Sequence, residues 1–402
     1  MRRESTGAEV TRPRLPEGTE LIRKRAGMFV GSTGERGLRH LVFDVVERAV
    51  NDALAGHGGG RVDVTLTADG GVRVTDDGPG IPVEAAGHTG GPGLEDLLTR
   101  LRPEVRTPRG RRTVAMSPMS SEPAVANALS SRLTVEVRRE AGHWVQEYVR
   151  GIAVAPPAAA GATTQSGTTI TFWPDAEIFE TTHASCPDLE NRFREVALLN
   201  RGLSLSLTDE RDRVEARSVQ FLFPDRARDL VAGLGLETGA RLHPDVIAFE
   251  EEDARMAGTV EVSLRWSDTH EETVRGFANS LRTYEGGTHE TGLRDGVTAA
   301  VDEYARKHQL LTATDPRPGF DLIGEGLTAV VSVKLDSPLF YGATRTRLGG
   351  DGDAVHPGVQ DTGAVHACVR DAVRAHLGTW LEEHPEQAAA VIGRIVERTR
   401  RG

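Results

Sequence analysis

The first long pattern of apolar and polar positions predicts an amphipathic helix from about Gly37 to Ala55. Its apolar positions recur at helical spacing: Leu38, Leu41, Val42, Val45, Val46, Ala49 and Ala53. The opposite face carries polar side chains, namely Asp44, Glu47, Arg48 and Asn51. We therefore expect a helix that packs one face on a core and leaves the other face available for chemistry.

Alternating patterns follow the helix. Residues 61–67 and 72–75 predict a hairpin, which runs into the turn Asp76-Asp77-Gly78-Pro79-Gly80. Further strands are predicted at 133–139, 144–149, 168–173 and 203–207, with helices at 93–101, 124–130 and 189–199. Helices combined with a series of antiparallel strands indicate an α+β layer fold.

The pattern restarts after about residue 222. Strands are predicted at 259–266, 273–277 and 327–334, and helices at 293–308, 363–383 and 386–400. The predicted organisation is therefore a flexible tail over 1–20, a first domain over 21–222 and a second domain over 223–402.

The amino-acid composition excludes some classes of protein. The chain has 402 residues, of which 38% are hydrophobic and 27% charged, enough apolar material for packed cores. Its net charge of −11 argues against a general nucleic-acid coat protein. Two distant cysteines, Cys186 and Cys368, favour a reducing compartment. The polar first twenty residues and the lack of a long apolar run predict a cytoplasmic protein without a secretory signal or membrane contact.

Several collinear motifs resemble the N-terminal, ATP-binding half of a type IIA DNA topoisomerase B subunit, the family of DNA gyrase B and topoisomerase IV. They lie at 23–33, 37–46, 74–82, 127–130, 167–174, 199–202, 285–289 and 325–334. The resemblance spans about residues 20–400. It implies a Bergerat-type (GHKL) ATPase sandwich followed by a smaller α+β transducer domain. It also implies ATP as cofactor, gyrase A- and B-type subunits as partners with DNA reached through them, and a possible homodimer.

The turn at 76–80 matches the adenine-binding Asp-x-Gly-x-Gly motif of that family. A carboxylate accepts a hydrogen bond from the exocyclic amine of adenine, and glycines let the backbone approach a flat base. The resemblance assigns this role to Asp76, Gly78 and Gly80, supported by an apolar wall of Ile81 and Pro82 and by Thr168. The alternative is a turn with no ligand, because the motif alone is common in turns.

The catalytic helix departs from the family. The family's Glu-x-x-x-Asn, in which Glu polarises water and Asn ligates magnesium, corresponds here to Asp44 and Arg48. Asp44 is one methylene shorter, and a guanidinium cannot ligate a metal, so magnesium binding is doubtful. Arg48 is expected to pair with Asp44 or, alternatively, to bind phosphate directly. Asp52 matches a family Glu whose arginine partner is replaced here by Pro79.

The phosphate loop departs further from the family's pattern. The family's glycine-rich lid corresponds to Met116–Glu122, which contains no glycine, includes Pro118 and ends in a carboxylate. Nearby arginines either form a solvated loop or bind phosphate or an acidic partner; they are Arg102, Arg106, Arg109, Arg111 and Arg112. The family's transducer lysine is replaced by Arg345, either a phosphate ligand or a solvated side chain.

Two classes of function stay open. One is an ATPase module that works with separate topoisomerase subunits, with Asp44 and Arg345 as candidate catalytic residues. The other is a non-catalytic homologue that binds a nucleotide weakly or binds a gyrase-like partner. No metal site is predicted, including at the Gly/Asp-rich stretch 349–358, and the chain alone is not expected to cut DNA. The altered positions favour impaired hydrolysis.

Overall fold

The computed structural model describes residues 18–55, 59–84, 93–101, 113–118, 123–212, 216–224, 230–232, 236, 239–342, 344–349 and 362–400. The described chain begins with two short helices, α1 (Gly18–Lys24) and α2 (Ala26–Val30). Residues 18–20 were predicted to be part of a flexible tail. In the structure these three residues begin α1, whose Ile22 is 1% exposed in the core. The flexible tail stays a prediction. Residues 1–17 lie outside the described residues.

The first half is a long helix, α3 (Glu35–Ala53), on a mixed sheet. The strands are β1 (Gly60–Leu66), β2 (Val72–Asp76), β3 (Ser130–Arg139), β4 (Gly142–Val149), β5 (Ile152–Ala153), β6 (Ala158–Ala162), β7 (Gly167–Pro174), β8 (Leu203–Asp209) and β9 (Arg217–Phe221). Their order is β5-β4-β3-β7-β2-β1-β8-β9, with β6 also paired to β4. The β1–β8 pair is parallel, whereas β1 and β2 form the predicted antiparallel hairpin.

The apolar stripe of α3 packs on β1, β2 and β7, as predicted. All seven predicted stripe residues are buried in the apolar core that α3 shares with the sheet. Three further helices complete this half: α4 (Leu94–Thr99), α5 (Pro123–Ala128) and α6 (Cys186–Leu199). The predicted α+β layer fold is confirmed.

The second half has its own sheet of β10 (Ile247–Asp253), β11 (Gly258–Trp266), β12 (Thr273–Ala278), β13 (Leu281–Arg282) and β14 (Leu327–Leu335). The strand order is β10-β11-β14-β12-β13. Its helices are α7 (Thr288–Lys307), α8 (Phe320–Ile323), α9 (Thr362–Glu383) and α10 (Pro385–Thr399). A small hairpin pairs β15 (Phe340–Tyr341) with β16 (Arg347–Leu348). One sheet face packs on α7 and α9 in a separate apolar core.

The two halves meet in a small apolar cluster and along one crossing segment. The cluster contains residues from the end of α6, from the connection between the two sheets, and from strands β12 and β14 of the second sheet. These residues are Leu198, Leu199, Leu230, Val231, Leu236, Phe277 and Val330. The first sheet ends at Phe221 and the second begins at Ile247. The domain boundary at residue 222 falls between them and stays a prediction.

Residues 113–118, here called the joining segment, are bonded to both halves. Asn51 of α3 accepts from the Val114 N–H and donates to the Val114 carbonyl, each at 2.8 Å. On the other side, Asn279 donates to the Thr113 carbonyl at 2.9 Å and accepts from the Ala115 N–H through its own carbonyl at 2.8 Å. The joining segment therefore connects α3 directly to the second sheet.

Candidate functional site

Asp76, the predicted adenine ligand, ends strand β2 and is 5% exposed. Its Oδ1 atom accepts hydrogen bonds from the backbone N–H of Gly78 at 2.9 Å and of Thr168 at 3.3 Å. The Thr168 hydroxyl in turn accepts from the N–H of Ile81 at 3.3 Å. These bonds fix the carboxylate and tie both arms of the turn to the start of β7.

The close approach of β7 to the turn requires glycine at two positions. Gly167 has φ +129°, and a Cβ atom there would lie 2.0 Å from the Asp76 carbonyl oxygen. A Cβ on Gly78 would lie 2.7 Å from the backbone of Asp52. Side chains at these positions would displace the turn from α3 and from β7. The glycines therefore set the distance between the carboxylate and its neighbours.

A small cavity lies above Asp76, between α3 and the sheet. Its lining includes Arg48, Asp52, Asp76, Ile81 and Thr168, so four of the predicted site residues meet there. Its volume is about 10 Å³, which is room for about one water molecule. The other predicted site residues, Gly78, Gly80 and the partly buried Pro82, belong to the same stretch of chain. A purine would enter only if a lining side chain moved.

Arg48 contacts Asp52, not the predicted partner Asp44. The Arg48 Nε atom donates to Asp52 Oδ2 at 2.5 Å, one turn toward the C-terminal end of α3. The physical reason is the position of Asp52, which is 7% exposed and lies against Gly78 in the turn, where a nearby cation stabilises its buried charge. Arg48 thus supplies, from α3 itself, the cation that Pro79 cannot supply from the turn.

The electrostatic environment of this cavity strongly shifts the pKa of the Asp76 carboxyl. Burial raises the pKa of the Asp76 carboxyl to about 7, and the nearby charge of Asp52 acts in the same direction. The N–H groups of Gly78 and Thr168 and the charge of Arg48 oppose this rise. The carboxyl therefore changes its charge near neutral pH.

The first part of the predicted phosphate loop is packed inward. The Met116 N–H donates to Glu47 of α3 at 2.7 Å, and Ser117 is hydrogen-bonded to His40 at 2.5 Å. Met116 and Ser117 are 3% and 0% exposed. The Met116 backbone donor is therefore committed to a carboxylate on α3. Met119–Glu122, and the arginines predicted at 102–112, lie outside the described residues.

Neither of the two candidate catalytic residues lines the cavity above Asp76. Asp44 is 2% exposed on α3, one turn before Arg48. Arg345 lies in the loop between β15 and β16 and lines a second cleft, together with Arg36 and Arg39 of α3. The structure thus brings Arg48, Asp76, Ile81 and Thr168 together, while Arg345 belongs to a different cavity.

Two arginines beside the turn were not predicted from the sequence. Arg139 donates to the Gly80 carbonyl at 2.9 Å, and Arg138 donates to the Thr169 hydroxyl at 2.9 Å. Arg138 lies opposite Gly167 in the β3–β7 register. Pairing these two predicted strands in the antiparallel sense would have placed both arginines at the turn.

The acidic, histidine and cysteine side chains of the described residues do not form a metal cluster. No group of three or more of them is arranged there to hold an ion. No helix in the same part of the chain is sufficiently long and apolar to cross a bilayer.

The first half is a helix-covered sheet with an Asp-x-Gly-x-Gly turn, and it is joined to a second α+β unit. This combination defines a GHKL-type ATPase sandwich with a transducer. The family model for DNA gyrase B matches residues 229–401. The 43K ATPase domain of Thermus thermophilus gyrase B, solved with an aminocoumarin, is 30% identical with a TM-score of 0.77, covering 95% of each chain. The topoisomerase IV ATP-binding domain of Francisella tularensis shares the fold at 22% identity and a TM-score of 0.75, covering 96% of this chain and 97% of that one.

The DNA gyrase B protein of Streptomyces coelicolor is 41% identical over 396 residues, covering 95% of this chain and 56% of that protein. The chain belongs to the DNA gyrase B family. It spans little more than half the length of the curated relatives that it matches.

We predict that Gly167→Ala lowers the free energy of unfolding by more than about 2 kcal/mol, because the new Cβ would overlap the Asp76 carbonyl. Gly161→Ala is the matched control, since Gly161 has the same φ of +129° but no atom within 4 Å of its Cβ position. Urea denaturation of both variants separates backbone strain from steric overlap. Equal losses in the two variants would contradict the steric account.

We predict that the free energy of unfolding of the Asp76→Asn variant rises relative to that of the native chain as pH rises. The folded pKa of about 7 exceeds the ordinary 3.8, so the stabilising contribution of protonated Asp76 is complete below about pH 4 and is lost as pH rises through 7. Relative to the native chain, the variant should gain roughly 2–3 kcal/mol between pH 5 and pH 8. Urea melts across this range test it, with the exposed neighbour variant Asp77→Asn as control; parallel curves for all three proteins would refute it.

Proposed function

We propose that the chain is a gyrase B-type ATPase and transducer module that keeps adenine recognition but hydrolyses ATP poorly. The observation that carries this proposal is the contrast between the two ends of one cavity. At one end, Asp76 keeps its hydrogen bonds to Gly78 and Thr168. At the other, the position of the family's metal ligand is occupied by Arg48, whose guanidinium is bound to Asp52.

The base side of the site fits adenine chemically. Ionised Asp76 accepts from an exocyclic amine, and Ile81, which is 2% exposed, supplies an apolar surface for the ring. Gly80, with φ +76°, lets the turn approach the base. The small cavity means that Arg48 or another lining side chain has to move on binding, which weakens the affinity.

The metal side does not fit magnesium in the family's manner. Magnesium takes oxygen ligands in a near-octahedral arrangement, and a guanidinium offers only N–H donors. Asp44 remains as a carboxylate on the same face of α3, one turn away. A single carboxylate one methylene shorter than the family glutamate is a weak replacement for the two-residue motif.

A second candidate function is a non-catalytic nucleotide- or partner-binding module. It is favoured by the joining segment, where the Met116 N–H is bound to Glu47 instead of being exposed to a ligand. In either case, by family, the partners are gyrase A- and B-type subunits with DNA reached through them, or a second copy of this chain. Arg345 then serves as a cation of the second cleft instead of a catalytic residue.

We predict that ADP and ATP bind with similar affinity and that magnesium changes neither affinity much. The reason is that the base contributes most of the contacts. Titration calorimetry with and without magnesium tests this, and Asp76→Asn should weaken both nucleotides by roughly 1–3 kcal/mol. Asp77→Asn, one residue away and exposed, is the matched control. ATP binding tenfold tighter than ADP would show that the phosphates have a strong site after all.

We predict that steady-state phosphate release is very slow or absent, because positioning and charge neutralisation are both impaired. Arg48→Asn alone should recover little, since Asp44 and the segment around Met116 remain altered and the losses act on one site. The assay is run on the chain alone and with gyrase A- and B-type subunits, with Asp44→Asn as the background control. Turnover near about one per second in either setting would refute impaired hydrolysis.

A further inference from the structure

The carboxyl group of Asp76 has one oxygen left for a ligand. Its Oδ1 atom already accepts from two backbone N–H groups, those of Gly78 and Thr168. Among the residues that the structure describes, none donates a hydrogen bond to Oδ2. Because Asp76 lines the cavity between α3 and the sheet, Oδ2 is the polar atom that this residue offers to a base. A single proton decides whether Oδ2 accepts or donates there.

One cation and two carboxylates line this cavity. They are Arg48, Asp52 and Asp76, and the remaining lining residues are apolar apart from Thr168. The Arg48 guanidinium is bonded to Asp52 at 2.5 Å. In the part of the chain that the structure describes, Asp76 forms no ion pair of its own. Two buried carboxylates beside one guanidinium favour a proton on the carboxylate that the guanidinium does not contact.

The charged groups on the neighbouring elements do not replace that cation. On β3, Arg138 and Arg139 donate to the sheet and to the turn, and neither of them lines the cavity. In the turn itself, Asp77 is exposed and lies outside the cavity. Strands β2 and β7 contribute no titratable lining residue other than Asp76 itself. The charge state of Asp76 is therefore set mainly by its burial and by the pair on α3.

Both charge states of Asp76 are accessible near neutral pH. Burial raises the pKa of its carboxyl to about 7, and the charge of Asp52 acts in the same direction. The proton is placed on Oδ2, because Oδ1 is occupied by the two N–H donors. The cavity consequently presents an acceptor above about pH 7 and a donor below it.

We propose that Oδ2 of Asp76 selects 6-aminopurines when it is ionised and 6-oxopurines when it is protonated. This selection rests on the proposed function, in which the turn binds a base, and it adds a second class of base to the same site. An exocyclic amine donates to an ionised carboxylate, whereas the oxygen of a 6-oxopurine accepts from a protonated one. The wrong pairing sets two acceptors or two donors against each other in a buried site, which is unfavourable.

The test is titration calorimetry of ADP and of inosine 5′-diphosphate into the full chain, from about pH 5.5 to about pH 8 at constant ionic strength. The two ligands share their ribose and phosphates, so the ratio of their dissociation constants reports on the base alone. The preference for ADP should rise at least about tenfold from the lowest pH to the highest, because matched and mismatched buried hydrogen bonds differ by about 1.4 kcal/mol or more.

Asp76→Asn is the decisive variant, because its amide is a fixed imitation of the protonated carboxyl. Only the amide oxygen can accept from the Gly78 and Thr168 N–H groups, so the Nδ2 donor takes the place of Oδ2. This variant should bind inosine 5′-diphosphate at least as tightly as ADP, with a ratio that does not change with pH. Asp52→Asn removes the neighbouring charge and should move the midpoint of the change to lower pH. The exposed Asp77→Asn is the matched control and should keep the native profile.

The possible results distinguish failure of the base selection from failure of the proposed function. If ADP binds but the ratio for the native chain stays constant across the pH range, the selection is overturned and the adenine site stands. A pH-dependent ratio that persists in Asp76→Asn would also overturn the selection, because the proton would then lie on another group. If neither nucleotide binds the native chain at any pH, the proposed function fails and the selection fails with it. Circular dichroism of each variant at each pH verifies that it is folded.

Discussion

Helix α3 is buried on two sides, and the rest of the structure depends on that constraint. Its apolar stripe packs on the first sheet, while Glu47 and Asn51 on the other side bind the backbone of the joining segment. A helix with only one buried face could rotate or slide by small amounts without breaking specific bonds. Here the hydrogen bonds to Val114 and Met116 fix its rotation, so Arg48 and Asp52 face the adenine turn.

The same constraint explains how the chain tolerates Arg48. Position 48 faces a cavity lined by two carboxylates, Asp52 and Asp76. Placing a guanidinium there neutralises Asp52 within one helix turn, so no isolated charge is buried. The fold is therefore compatible with a guanidinium at this position.

Much of the fold could be predicted from the sequence, because α3, the β1–β2 hairpin and most long strands have clear periodicity. The position of the turn could be predicted for the same reason: Asp76 directly follows a predicted strand, and Thr168 begins another. The partner of Arg48 was wrongly predicted as Asp44, since Asp44 and Asp52 are both four residues away and the helical pattern does not distinguish them. The choice depends on where Gly78 packs, which is a long-range contact.

The contacts between the two halves could not be predicted from the sequence for a similar reason. Asn279 binds the joining segment across 166 residues, and nothing in the local sequence around either partner signals the pairing. The composition of the second cleft could not be predicted either, because its arginines come from α3, α6, β13 and the loop between β15 and β16. Periodicity predicts which elements form, whereas these features depend on how elements from distant parts of the chain are placed together.

Helix α3 also determines how the two cavities can influence each other. Arg36 lines the cleft and Arg48 lines the adenine cavity, so they are separated by about 18 Å along the helix axis. Charges at that distance are largely screened, since the Debye length at physiological ionic strength is about 8 Å. Any coupling would therefore be mechanical. The joining segment offers the direct route, because it binds α3 at Glu47 and Asn51 and the second sheet at Asn279.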